Sequence, residues 1–295
     1  MIRLSSASDV ALIQTILFPV DFSPACAAAA PFVRNLAGIF GARVTLLHVI
    51  KPFDFSAFEL LGRTVPEIEA EQGGLARQRL DAFLAQDLPA PSCVRKIALG
   101  EPAEEIATAA RTHHFDLIVI PTYSEGAFRH ALLGSTAAKV LNDADCAVLT
   151  PQHSVDRQVH AAGQRQIACA IRLDDEGARV LRYAGQLAQA AGAQLSILHV
   201  LPVRESDLTV LFDREEEQPA RNAQQRISDL QRSAGTHAEV RLASGPIRQT
   251  ILDAADALHP GLLVIGRSPV AGALGRMRDL TYALIRDAHC PVLSI

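Results

Sequence analysis

Asp21 follows the apolar run Ile16-Leu17-Phe18-Pro19-Val20 and precedes a helical pattern. A carboxylate at such a junction either accepts hydrogen bonds from a ligand's donors or caps the helix, a task open to Ser23 as well. Gly134-Ser135 opens another helical pattern. Unpaired N–H groups and the positive dipole end at a helix start suit an anion, although a plain helix start needs the same residues. Arg172 follows the apolar run Ile167 to Ile171 as Asp21 follows its own. A guanidinium only donates, so Arg172 either bridges to Asp174, Asp175 or Asp279, or joins Arg267, Arg276 and Arg278 around an anion. His48 and His199 fall near the ends of strand patterns and read as half-buried strand-end residues. The pair His113-His114 has no third ligand at suitable spacing, so no metal is expected.

The elements that must position these residues come in two copies. Gly41 to Ile50 reads GARVTLLHVI and Gly192 to Leu201 reads GAQLSILHVL, at an offset of 151 residues. Gly100 to Ile120 faces Gly245 to Ile265 at 145, and Cys146 to Leu149 faces Cys290 to Leu293 at 144. This drift indicates duplication followed by divergence, with deletions in the second copy. The copies are assigned to residues 11–151 and 165–295, with the polar segment 152–164 as linker. In the first copy the pattern predicts strands near 15–20, 43–49, 93–98, 116–120 and 146–150, with helices near 24–40, 65–87, 102–113 and 134–142. Short aliphatic runs alternating with helical periods argue for parallel strands buried on both faces, hence a doubly wound α/β sheet. Ligands of such sheets bind at the carboxyl ends of the strands, where the winding reverses.

Composition narrows the function. With 295 residues, two cores of ordinary size are expected. A net charge of -4 offers no basic stripe, which argues against nucleic acid as a partner. The five cysteines are widely spaced with no C-x-x-C pair, and read as buried thiols of a reducing cytoplasm. The apolar run Val10 to Val20 lacks a basic n-region and contains Gln14, Thr15 and Pro19, so neither a signal peptide nor a membrane span is read there.

The order ILFPVDFS (Ile16 to Ser23), LLHVI (Leu46 to Ile50), DLIVI (Asp116 to Ile120), LLGSTAAKVL (Leu132 to Leu141) and CAVL (Cys146 to Leu149) resembles the universal stress protein family, over nearly all of both halves. The resemblance implies five-stranded parallel sheets of order 3-2-1-4-5, of the adenine-nucleotide alpha-hydrolase-like type. It implies an adenosine seat at Asp21 and the strand-end backbone of Pro19, Val20 and Val49, with Ile120 leading into the phosphate loop. Gly134, Ser135 and Thr136 would offer N–H groups to a phosphate. In the ATP-binding branch that loop reads G-x-x-G-x9-G-[ST]. Here its first two glycines fall on Pro121 and Ser124, and a proline neither donates nor reaches positive φ. The second copy keeps Gly266 but has Pro269 at the second glycine, Arg278-Asp279 for Gly-Ser and Arg172 for the carboxylate. The resemblance therefore implies at most weak ATP binding in the first copy and none in the second.

The same family implies that the fifth strands, Cys146 to Thr150 and Cys290 to Ser294, pair across a pseudo-twofold axis. The halves would then dock within one chain, with a homodimer as a further possibility and an unknown protein as partner. The functional reading is a non-catalytic cytoplasmic stress-response protein, with slow ATP hydrolysis as the alternative. No base, metal-binding carboxylate pair or phosphate-gripping lysine stands out. A receiver-like switch lacks its acidic pair and its lysine, and a dinucleotide enzyme lacks G-x-G-x-x-G.

Overall fold

The computed structural model describes residues 12–52, 65–122, 133–151, 166–201, 217–267 and 276–295. The expected linker 152–164 and loop positions Ser124 and Pro269 lie outside the described residues. The first half runs β1 (Thr15–Pro19), α1 (Pro24–Phe40), β2 (Arg43–Ile50), α2 (Val65–Ala82), β3 (Cys93–Leu99), α3 (Pro102–Thr112), β4 (Leu117–Val119), α4 (Ser135–Asp143) and β5 (Ala147–Thr150). The second repeats it as β6 (Gln166–Ala170), α5 (Asp175–Ala191), β7 (Gln194–Leu201), α6 (Glu217–Ala234), β8 (Glu239–Ser244), α7 (Ile247–Leu258), β9 (Leu262–Ile265), α8 (Arg276–Asp287) and β10 (Val292–Ser294).

The strands form one ten-stranded sheet of order β3-β2-β1-β4-β5-β10-β9-β6-β7-β8, so each half has the expected order 3-2-1-4-5. Among the described residues, pairing is parallel within each half and antiparallel only where β5 meets β10. Successive strand residues point to opposite faces, so Ile16 and Phe18 enter one core layer and Leu17 the other. Each layer mixes the halves: one joins Val33 and Leu149 to Val180 and Leu293, the other Ile118 and Val148 to Leu252 and Val292. Asp116 ties β4 to β1 at their amino ends, its Oδ2 accepting from Gln14 N at 2.8 Å, Thr15 N at 2.9 Å and Thr15 Oγ1 at 3.0 Å.

Local chemistry explains the helix starts. Ser23 caps α1 by accepting from Cys26 N, with Pro24 in the first turn where its missing donor costs nothing. Asp174 caps α5 by accepting from Gly177 N at 3.0 Å. Helix α2 stops at Ala82 rather than near residue 87, because Leu84 is left-handed (φ 54). Arg95 from β3 then takes the carbonyls of Leu80, Phe83 and Leu88, satisfying a helix end that propensity alone would have prolonged.

Candidate functional site

Strands β1 and β4 are paired neighbours whose connections leave toward opposite sides of the sheet, so their carboxyl ends open one crevice. Pro19, Val20 and Ile120 are buried there and Val49 is half-buried at the end of β2. The ladder continues one residue past each strand, with Val20 N donating to Leu47 O and Ile120 N to Leu149 O, both at 2.9 Å.

Asp21 stands exposed at the rim. Its Oδ1 accepts from Ser23 N at 2.9 Å and from the Cys26 thiol at 3.2 Å, so Asp21 braces the loop while Ser23 does the capping. Partial burial pushes its carboxyl up, but the bonds from Ser23 and Cys26 outweigh this and hold it below the usual carboxylate range. Phe22 is left-handed (φ 63), a conformation costly for a bulky residue and held only by strong surroundings. Its ring lies 4.4 Å from His48 and 5.3 Å from Phe83, with the Arg79 guanidinium 4.4 Å over its face. His48 Nδ1 lies 2.8 Å from Val20 O. A carbonyl only accepts, so Nδ1 carries the proton and the imidazole fixes the strand-end backbone. His199 makes the same contact to Ile171 O at 2.9 Å. The signal for this role was the histidine repeated at the matching place.

On the other side of the crevice, Gly134 is the N-cap of α4 and has no side-chain capping bond. Its N–H donates to Thr122 O at 2.9 Å, and a Cβ there would lie 3.2 Å from that oxygen. The loop after β4 is thus pinned to the helix start. Ser135 is exposed and Thr136 half-buried in the first turn. Thr122 is buried, and its hydroxyl has no partner among the described residues.

In the second half, side chains occupy the positions that match the first crevice. Arg172 pairs with Asp174 at 2.6 Å and with Glu176 at 3.3 Å, so it takes a bridge to Asp174, one of the partners read from the sequence, and adds Glu176. A Cβ on Gly266 would lie 2.8 Å from Glu176 Oε1, so this glycine makes room for a carboxylate. A Cβ on Gly177 would lie only 1.8 Å from Arg172 O, so α5 also packs tightly on this turn. Arg267 turns away from any anion site, its guanidinium donating to Leu141 O at 3.0 Å and Cys146 O at 2.5 Å in the first half. Of Arg276, Arg278 and Asp279, the side chains lie outside the described residues.

Among the described residues no group of three or more His, Cys, Asp or Glu is arranged to hold a metal, and no helix is long and apolar enough to cross a membrane. All five cysteines are free thiols. Burial pushes Cys26 up to about 12 and Cys146 up to about 11.

A family model described as the universal stress protein family matches residues 13–150 and 164–295. A universal stress protein of Thermus aquaticus is 33% identical over 141 residues, 47% of this chain and 98% of that one. One of Methanocaldococcus jannaschii is 29% identical over 140 residues, 47% of this chain and 81% of its own. The crystal structure of a universal stress protein from Archaeoglobus fulgidus has a TM-score of 0.69 at 20% identity, covers 95% of each chain, and is a likeness of fold.

Proposed function

Because this chain belongs to the universal stress protein family, with both of its halves matched, we propose that it is a non-catalytic stress-response protein whose first half alone holds an adenine nucleotide, and holds it weakly. The contrast between matched positions carries this reading. Asp21 stands exposed, whereas Arg172 is in ion pairs and Glu176 occupies the space over Gly266. An acidic side chain at that place repels a phosphate as well as excluding it.

In the first half, Asp21 and the backbone at Pro19, Val20, Val49 and Ile120 seat the adenosine, and the first turn of α4 at Gly134, Ser135 and Thr136 receives a phosphate. Pro121 removes one donor from the phosphate loop. One or two missing charge-assisted bonds, at about 1.5–3 kcal/mol each, weaken binding by roughly one to four powers of ten. The domains are those of residues 11–151 and 165–295, and the setting is the cytoplasm. Action runs through protein partners and self-association, for which the edge strand β3 presents exposed Val94 and Leu99.

Calorimetry with ATP on the full chain tests the nucleotide reading. The expected result is a weak saturable isotherm that Asp21→Ala abolishes and Glu176→Ala leaves unchanged. Tight binding that survives Asp21→Ala overturns it.

A further inference from the structure

Helix α4 carries the anion-holding first turn at one end and is gripped from the second half along its length and at its other end. Tyr282 of α8 donates its hydroxyl to Ala138 O at 3.0 Å. Arg267, just past β9, donates to Leu141 O in the last turn and to Cys146 O where β5 begins. The helix has no basic residue in its own last turn, so Arg267 brings from the other half the cation that the negative end of the dipole favours. Arg267 is itself anchored, because its N–H donates to Ile295 O at 2.8 Å and Ile295 N–H donates to Ile265 O at 3.1 Å, extending the β9–β10 ladder. At the matching positions of the first half stand Thr122, whose short side chain cannot span such a gap, and Ala138, which has no polar side-chain atom.

We propose that Arg267 and Tyr282 are positioning residues through which the second half holds α4, and with it the anion-receiving turn Gly134-Ser135-Thr136 of the first. The half that has lost the nucleotide chemistry thereby orients the half that keeps it. A helix of nine residues is about 13 Å long, short enough that fixing carbonyls in its middle and last turn fixes its first turn as a rigid body. This inference rests on the anion-holding role given to α4 above, and two separate readouts keep the two ideas distinguishable.

Amide hydrogen exchange and ATP calorimetry are compared on the full chain for wild type, Arg267→Ala, Tyr282→Phe and, as a surface control, Arg34→Ala, which breaks only the exposed pair with Asp87. The expected result is exchange in α4 faster by about tenfold in Arg267→Ala and about threefold in Tyr282→Phe, the sizes that follow from losing bonds of ordinary strength. Peptides of β6 and β7, which open only with the whole sheet, speed up by no more than the loss of global stability read from the urea midpoint of the same variant, and ATP affinity falls by factors similar to those in α4. Arg34→Ala changes neither readout. Unchanged α4 exchange in both variants overturns the proposal, as does faster exchange with unaltered ATP affinity. If wild type binds no ATP yet α4 loosens in the variants, the grip stands and the nucleotide reading falls. Tyr282→Phe removes a single hydroxyl and serves if Arg267→Ala fails to fold.

Discussion

At the scale of single residues, the second crevice is defined by contact rather than by missing chemistry. Gly177 admits no Cβ, because Arg172 O would lie 1.8 Å away, and its N–H is the one that Asp174 caps. Gly177→Ala therefore displaces the start of α5 and is expected to lower stability by at least the ~1–3 kcal/mol typical of overpacking. Urea unfolding of the variant checks this, and a change below half a kcal/mol would contradict it. The thiols set a pH dependence. Cys26 and Cys146 are raised by burial from 9.0 to about 12 and about 11. The folded state therefore keeps protons that the unfolded state releases above pH 9. Their contribution to stability is full below pH 9 and is lost as pH rises toward 11–12. A urea midpoint that begins to fall near pH 9, and falls less steeply in Cys26→Ala, is the expected result.

At the scale of elements, two helices carry residues that their own geometry does not need. Pro31 sits exposed inside α1, where it removes one backbone bond, and Gly74 sits exposed inside α2 with nothing within 4 Å of a Cβ built on it. Gly74→Ala is expected to stabilise by about 0.4–1 kcal/mol, and Pro31→Ala by up to ~3 kcal/mol. Thermal melts of both variants check the sign, and a lowered melting temperature in either would contradict the expectation for that helix. Most of the elements were legible because the inner strands are short, largely aliphatic runs between helical periods, written twice, whereas the outer strands β3 and β8 carry Arg95, Lys96, Glu239 and Arg241. The carboxyl-end crevice with Asp21 and Gly134 was legible through order and spacing. What could not be read were contacts made by distant segments. Phe83 and Arg79 closing on Phe22, Arg95 ending α2, Glu176 against Gly266 and Arg267 on α4 each depend on how elements dock. No local period records that.

At the scale of the whole molecule, duplication has turned two edge strands into the centre of one sheet. Strands β5 and β10 pair antiparallel with Thr150 opposite Val292, Leu149 opposite Leu293 and Val148 opposite Ser294. Two fully buried hydroxyls complete the seam in mirrored fashion, Thr150 Oγ1 donating to Val292 O at 3.1 Å and Ser294 Oγ to Val148 O at 3.2 Å. Thr150 and Ser294 occupy matching places in the two copies, so each half makes the same bond to the other across the pseudo-twofold axis. Both core layers also cross the seam. Separating the halves would expose apolar surface on both faces of the sheet and open a backbone edge at once, and neither half can lose its structure without uncovering the other. The full chain is therefore expected to unfold as one cooperative unit, with exchange-detected opening of β1 and β6 tracking the same urea midpoint. Replacing the paired hydroxyls in Thr150→Val with Ser294→Ala should lower stability by about 2 kcal/mol, at about 1 kcal/mol per bond, while the transition stays single. Two midpoints in wild type, one for each half, would show that the seam only tethers the domains, and the grip on α4 would then have no rigid platform to act from.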